Sequence, residues 1–249
     1  MITHVEQVMG TVASITVDSG QRSGDEAADA IAEACAALHE ADAMFSTFRA
    51  ESTLTRHRRG QLAAGELPAQ LLEVLELSAQ MARLTDGAFD PWAMPGGFDP
   101  TGLVKGWAAQ RALEELRDAG LAAAMVNAGG DIACFGERPW RIGVRHPLDA
   151  EQLVCVAEVD GAIATSGGYE RPGELLDPRT GEAAEALLQA TVIGPDLALA
   201  DAWATALVVL GEDGLEMAAE CGYEAVVVTA DGRMLASAGF PLAAVVPSV

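Results

Sequence analysis

The sequence predicts an α+β fold, one large domain of mixed sheets and helices over residues 1–249, from three observations. The chain opens on alternating apolar residues, later stretches rich in Ala and Leu have helical character, and no Pro- or Ser-rich linker divides them. Two distant stretches also share one order of elements. "LEELRDAGLAAAMVNAGGDIACFG" begins at Leu113 and "LEMAAECGYEAVVVTADGRMLASAG" at Leu215. Each reads as a helix, a Gly stop (Gly120, Gly222), an apolar strand, a Gly-containing turn (Gly130, Gly232) and a second strand. This predicts an internal helix–hairpin duplication. The helix of Asp201 then precedes the second unit as the helix of Lys105 precedes the first, and the two are expected to face each other across a pseudo-symmetric cleft.

Taken in order, "VEQVMGTVASITVD" predicts two strands meeting near Met9-Gly10-Thr11. Residues 25–44 form an Ala-rich helix, and another runs from Pro68, a residue favoured in the first turn, to about Arg83. Residues 85–104, dense in Gly, Pro and Asp, are expected to be irregular and to feed the helix "KGWAAQRALEELRDAG". In "LALADAWATALVVLG", residues 197–211, Gly194-Pro195-Asp196 marks the start and Gly211 the stop, so Asp201 is interior to the helix. Asp201 and Thr205 lie four apart and share a face. Two oxygen ligands one turn apart can hold a hard cation; alternatively Thr205 bonds a carbonyl one turn back and Asp201 meets an Arg.

Thirty-seven acidic residues against fifteen Lys and Arg give a formal charge of −22, which argues against nucleic-acid and anionic-membrane partners. Cys35, Cys134, Cys155 and Cys221 are far apart among apolar neighbours and read as core thiols. The start, "MITHVEQVMGT", has no basic region followed by an apolar stretch, and no apolar run suits a bilayer, so a cytoplasmic protein is expected.

Five Gly-rich polar segments stand out: "MGT" (9–11), "TDGAFDP" (85–91), "FDPTGLVKG" (98–106), "NAGGD" (127–131), and "ATSGGYER" with "LLDPRTG" (164–181). Such density lets backbone N–H groups approach an anion, and Lys105 adds charge. None fits G-x-x-x-x-G-K-[ST] or a strand-borne G-x-G-x-x-G, which disfavours a P-loop enzyme or a dinucleotide-dependent dehydrogenase.

Together with "FSTFRAESTLTR" (45–56), "WRIGVRHP" and "ADAWATAL", these segments follow one another in an order that resembles the FAD:protein FMN transferases, the ApbE family of flavin transferases. The likeness covers nearly the whole chain. It implies an ApbE-like, T-fold-like architecture and an enzyme that binds FAD and Mg²⁺, releases AMP, and attaches FMN to a Thr or Ser hydroxyl of an acceptor flavoprotein. It maps the metal ligands onto Asp201, Thr205 and the backbone carbonyl of Val104. It sets Met9, Phe48, Ala88, Phe89, Asp90, Thr101, Lys105, Trp107, Ser166 and Ala204 beside the FAD. Flat rings such as Phe48 and Trp107 suit a flavin or adenine, although core packing explains such residues equally well. Asn127, Gly129, Gly130 and Asp131 read as a structural turn.

The sequence departs from the family pattern where a His usually stands three residues before the Asp of "DPRTG". Here that position, a catalytic and FAD-proximal one by the resemblance, is Glu174, and the segment before it is short. An exposed Glu, with a pKa of about 4.3 against about 6.5 for His, is the weaker base. None of His4, His39, His57 or His146 stands at a matching place. Gly168, Thr101 and Arg58 also differ from the usual residues. Three activities follow as expectations: the transferase, with Asp201 and Glu174 catalytic; Mg²⁺-dependent hydrolysis of FAD to FMN and AMP; and a flavin-binding protein that has lost transfer.

Overall fold

Alternation at the start of the chain becomes an antiparallel hairpin, β1 (Ile2–Val8) and β2 (Thr11–Asp18), in a computed structural model that describes residues 1–168 and 175–245. Met9 and Gly10 both adopt positive φ, 56° and 70°, as a two-residue hairpin turn requires. Ser23 then caps α1 (Gly24–Phe45) in a reciprocal box with Glu26. A short helix α2 (Thr53–Arg58) and α3 (Ala69–Leu84) follow.

The helix α4 runs over Thr101–Asp118, so it starts inside the segment expected to be irregular. The Asp99 carboxylate accepts the Thr101 N–H at 3.2 Å and Pro100 leads into the first turn, while Gly102 departs from helical dihedrals. Four residues of that loop are therefore helical, and among them are Thr101 and Val104.

Strands β3 (Ala123–Ala128), β4 (Asp131–Phe135), β5 (Trp140–Arg145), β6 (Leu153–Val159), β7 (Gly161–Ser166) and β8 (Leu187–Gly194) follow. After them come α5 (Leu197–Leu210), α6 (Gly214–Glu220), β9 (Glu224–Thr229), β10 (Met234–Ala236) and β11 (Leu242–Val245). The main sheet has eight antiparallel strands in the order β1-β2-β3-β4-β7-β8-β9-β10, and a second sheet runs β11-β6-β5. The glycines expected to stop the helices, Gly120 and Gly222, have φ of 76° and 81°.

Burial sorts the fold into three layers. Ile15, Val126, Ala133, Ala164, Val192 and Val227 point toward the helices and share one core with them. Their alternate neighbours Ile132, Cys134, Ile163, Ile193 and Val226 pack with Val144, Cys155 and Val159 of the smaller sheet. The helix-facing side is rich in alanine, which lets helices approach the sheet closely.

Two expectations are corrected here. The helices of Lys105 and Asp201 do not face each other across a cleft but pack directly: a Cβ on Gly106 would lie 2.4 Å from the Leu197 carbonyl oxygen. Lys105 also shares one helix with Leu113, whereas Asp201 and Leu215 lie on separate helices. Cys35, Cys134 and Cys155 are buried free thiols, but Cys221 is exposed because it ends the short helix α6 at the surface. No helix among the described residues is long and apolar enough to cross a membrane.

Candidate functional site

Asp196 caps α5 by accepting the Leu199 N–H at 2.9 Å, which leaves the helix free to carry Asp201 in its interior. That carboxylate is 3% exposed, and its Oδ2 accepts the N–H of Gly106 at 3.2 Å. The close helix crossing depends on glycine at 106, so backbone permissiveness on α4 delivers a donor to the side chain on α5. One turn along α5, the Thr205 hydroxyl lies 3.2 Å from the Ser166 hydroxyl at the end of β7. Of the two plainer readings, Asp201 takes a backbone amide in place of an Arg, and Thr205 meets Ser166.

Beside this pair the Lys105 ammonium sits 2.6 Å from Asp131 Oδ2. Asp131 is 1% exposed, and its Oδ1 accepts the Thr165 N–H at 3.1 Å. Burial pushes the Asp201 carboxyl up to about 7, with the Asp131 charge adding to the rise while Lys105 and the Gly106 N–H oppose it. Two buried carboxylates and two hydroxyls thus converge beside the Lys105 ammonium. A hard cation fits this donor set: oxygens only, one of them a buried carboxylate whose proton a cation can replace.

The Gly-rich segments meet around this point. Gly129 leans on Thr11, where a Cβ would come 2.7 Å from the hydroxyl oxygen, and its N–H donates to the Val12 carbonyl at 3.2 Å. The turn after β1, with Met9, therefore adjoins "NAGGD", in which Asn127 Oδ1 accepts the Gly130 N–H at 2.8 Å. Asp131 joins "NAGGD" to β7 through Thr165. Gly102 faces Phe89 and Thr205, each 3.2 Å from where its Cβ would stand, and Gly87 borders Arg179 of "DPRTG". A cavity of about 370 Å³ lies on the other face of the main sheet, between Asn127, Gly130, Ile163 and Thr165 on one side and Ile142 and Arg145 of the smaller sheet on the other, and its lining includes none of Lys105, Asp131, Ser166, Asp201 or Thr205. Its size falls at the small end of ligand pockets, which span about 300–1,000 Å³.

The expected site residues divide by burial. Lys105, Ser166, Asp201 and Thr205 come together, with Phe89 and the buried Val104 next to them. Ala88 and Ala204 are fully buried, and Asp90 spends one carboxylate oxygen on the Trp92 N–H at 2.9 Å. Thr101 is exposed at the start of α4. Trp107 is buried with its ring edge on Phe45, its Nε1–H on Glu73 at 3.1 Å and Arg111 over its face. Phe48 is 98% exposed, a large ring in water. Glu174 lies outside the described residues. Asp131, expected to belong to a structural turn, is also buried beside Lys105. "GGD" looks like local turn chemistry, and only the apolar "IACF" after it hints that this acid is carried into the interior.

The family model described as ApbE family matches residues 9–97 and 96–227. The chain belongs to the ApbE family. A curated FAD:protein FMN transferase of Rhodobacter capsulatus is 37% identical over 154 residues, covering 56% of this chain and 29% of that protein. Another of that name, from Escherichia coli K12, is 26% identical over 259 residues, covering 77% of this chain and 74% of its own length. The ApbE protein of Thermotoga maritima superposes with a TM-score of 0.84 at 25% identity, over 95% of this chain and 97% of that one. Flavin transferase ApbE from Vibrio cholerae gives 0.80 at 25% identity, over 96% and 97%. The mixed α+β architecture is that of the solved ApbE structures.

Proposed function

We propose that this chain is a flavin transferase that moves FMN from FAD to a Thr or Ser hydroxyl of an acceptor protein with the help of Mg²⁺. The observation that carries the reading is the buried Asp201–Thr205–Ser166 oxygen cluster beside the Lys105–Asp131 pair, in a member of the ApbE family. In the reaction the acceptor hydroxyl oxygen bonds to the phosphorus of the FMN half. The bond between that phosphorus and the bridging oxygen breaks, AMP leaves with the oxygen, and the hydroxyl proton passes to a base. Mg²⁺ bound by Asp201, Thr205 and the Val104 carbonyl would offset the charge that develops on the pyrophosphate.

The chain's own groups supply the rest. Lys105, held by Asp131, presents its ammonium toward a phosphate without swinging free. The Gly129–Gly130 turn, whose residues have φ of 62° and 104°, allows close approach of a ligand to the backbone. Phe89 and Gly102 narrow the approach to Thr205, while Met9 and the exposed Phe48 offer apolar surface to the rings of FAD. Glu174 is the base candidate by its place in the sequence; Lys105 and Asp131, already paired, serve as positioning groups.

Purified protein mixed with FAD, Mg²⁺ and a candidate acceptor domain tests the proposal. A fluorescent acceptor on a denaturing gel, with AMP in equal amount, is the expected result. Glu174 in the place of the usual His favours hydrolysis as the second reading, which would yield FMN and AMP with no labelled acceptor. Tight FAD binding with neither product would overturn both.

A further inference from the structure

Away from the flavin site, the edge strand of the main sheet and the helix beside it share a cluster of metal-ligating side chains. His4 and Glu6 sit two apart on β1 and so occupy one face of the strand. Cys35 and His39 sit four apart on α1 and so occupy one face of the helix. One ligating atom each from His4, Glu6 and Cys35 lies within 4.8 Å of the others. His4 Nε2 is 3.1 Å from Glu6 Oε2, and His39 Nε2 is 3.1 Å from Glu6 Oε1. Burial of His4 and Glu6 is intermediate, Cys35 is buried, and His39 is exposed, so the group opens to solvent at the histidines with the thiol at its buried end.

We propose that His4, Glu6, Cys35 and His39 form a binding site for a borderline-soft divalent cation, Zn²⁺ above all. Four groups of the types N, O, S and N match what Zn²⁺ accepts, and a hard ion such as Mg²⁺ has no use for the thiolate. Tetrahedral ligands at metal distances of about 2.0–2.3 Å stand roughly 3.3–3.8 Å apart; the two histidine-to-Glu6 distances are 3.1 Å, and the Cys35 sulfur lies within 4.8 Å of the His4 and Glu6 ligating atoms. One face of the ring is thus assembled before any ion arrives. His39, exposed one turn from Cys35 and with its Nε2 already 3.1 Å from Glu6 Oε1, would supply the fourth ligand. Binding would replace the Cys35 thiol proton, which leaves to water, and the imidazoles would bind through Nε2 while keeping a proton on Nδ1. Burial first, and the Glu6 carboxylate second, hold the Cys35 thiol above its ordinary range. The consequence for the fold is a clip between α1 and β1, which among the described residues pairs with a strand on one side only.

The test uses the full chain without a histidine tag, stripped with a chelator, reduced with a phosphine and titrated with Co²⁺. One equivalent should bind with a thiolate-to-cobalt charge-transfer band and tetrahedral absorption, and one equivalent of Zn²⁺ should displace it. Cys35→Ser should abolish the charge-transfer band. His39→Ala, on an exposed position where folding is not at stake, should weaken binding by more than the roughly 10–100-fold that follows loss of an outer-shell partner. Asp201→Ala should leave the cobalt spectrum unchanged, which separates this site from the flavin site. Absence of the band in the unaltered protein, or its persistence in Cys35→Ser through the exposed Cys221, would overturn the proposal.

Discussion

A carboxyl group sealed inside packed helices holds its proton until a cation reaches it. Asp201 is in that position, pushed up to about 7 against an ordinary value of 3.8, by burial first and by Asp131 second. Because the folded state binds this proton more tightly than the unfolded state, the group's stabilising contribution is complete below about pH 4. It is lost as pH rises through about 7. The metal-free protein is therefore expected to lose stability between pH 5 and pH 8, by an amount on the order of 1–4 kcal/mol from this group. Chemical denaturation at both pH values should show that slope, and Asp201→Asn should flatten it; equal slopes in the two proteins would contradict the assignment. Activity gives a second reading of the same residue. Asp201→Ala should lower Mg²⁺-dependent FMN transfer by at least about a hundredfold while the far-ultraviolet circular dichroism is kept. Undiminished turnover would remove Asp201 from the metal site.

The crossing of α4 over α5 turns on one missing methyl group. In Gly106→Ala the new Cβ meets the Leu197 carbonyl oxygen at 2.4 Å, so the helices must part. A stability loss of about 1–3 kcal/mol is expected, measured as a lower denaturant midpoint at constant slope. Transfer activity should fall further than stability predicts, since the Gly106 N–H leaves Asp201. Retained activity with lowered stability would mean that this hydrogen bond is idle. Nothing in the primary structure announces such a crossing. Local signals read well: Met9-Gly10 marks the first hairpin, Pro68 and Arg83 lie within one residue of the ends of α3, and the apolar run 197–211 forms α5. Features that depend on remote partners did not. The start of α4 at Thr101 rests on Asp99 and Pro100 overriding a breaker-rich composition. Asp131 shows its importance only beside Lys105, and the direct packing of α4 on α5 depends on Gly106, which composition scores as a poor helix residue. The smaller sheet of β5, β6 and β11 was also not read, because its strands are short and one of them comes from the end of the described chain.

A net charge of −22 surrounds the proposed FAD site, whose ligand carries a dianionic pyrophosphate. Long-range repulsion should slow the encounter with FAD, and salt should relieve it. Raising NaCl from about 20 to 200 mM is expected to increase the FAD association rate roughly threefold, measured by stopped-flow quenching of flavin fluorescence; a rate that falls with salt would mean that Lys105 and its surroundings dominate the field. The acceptor surface should accordingly be neutral or basic where it docks. The hydrogen bond from Gly106 to Asp201 spans 95 residues of chain, and the cluster draws on β4, β7, α4 and α5 together. During synthesis, then, a ribosome-bound chain carries Lys105 and Asp131 long before Asp201 has left the exit tunnel. The proposed flavin site is therefore complete only once α5 has been made.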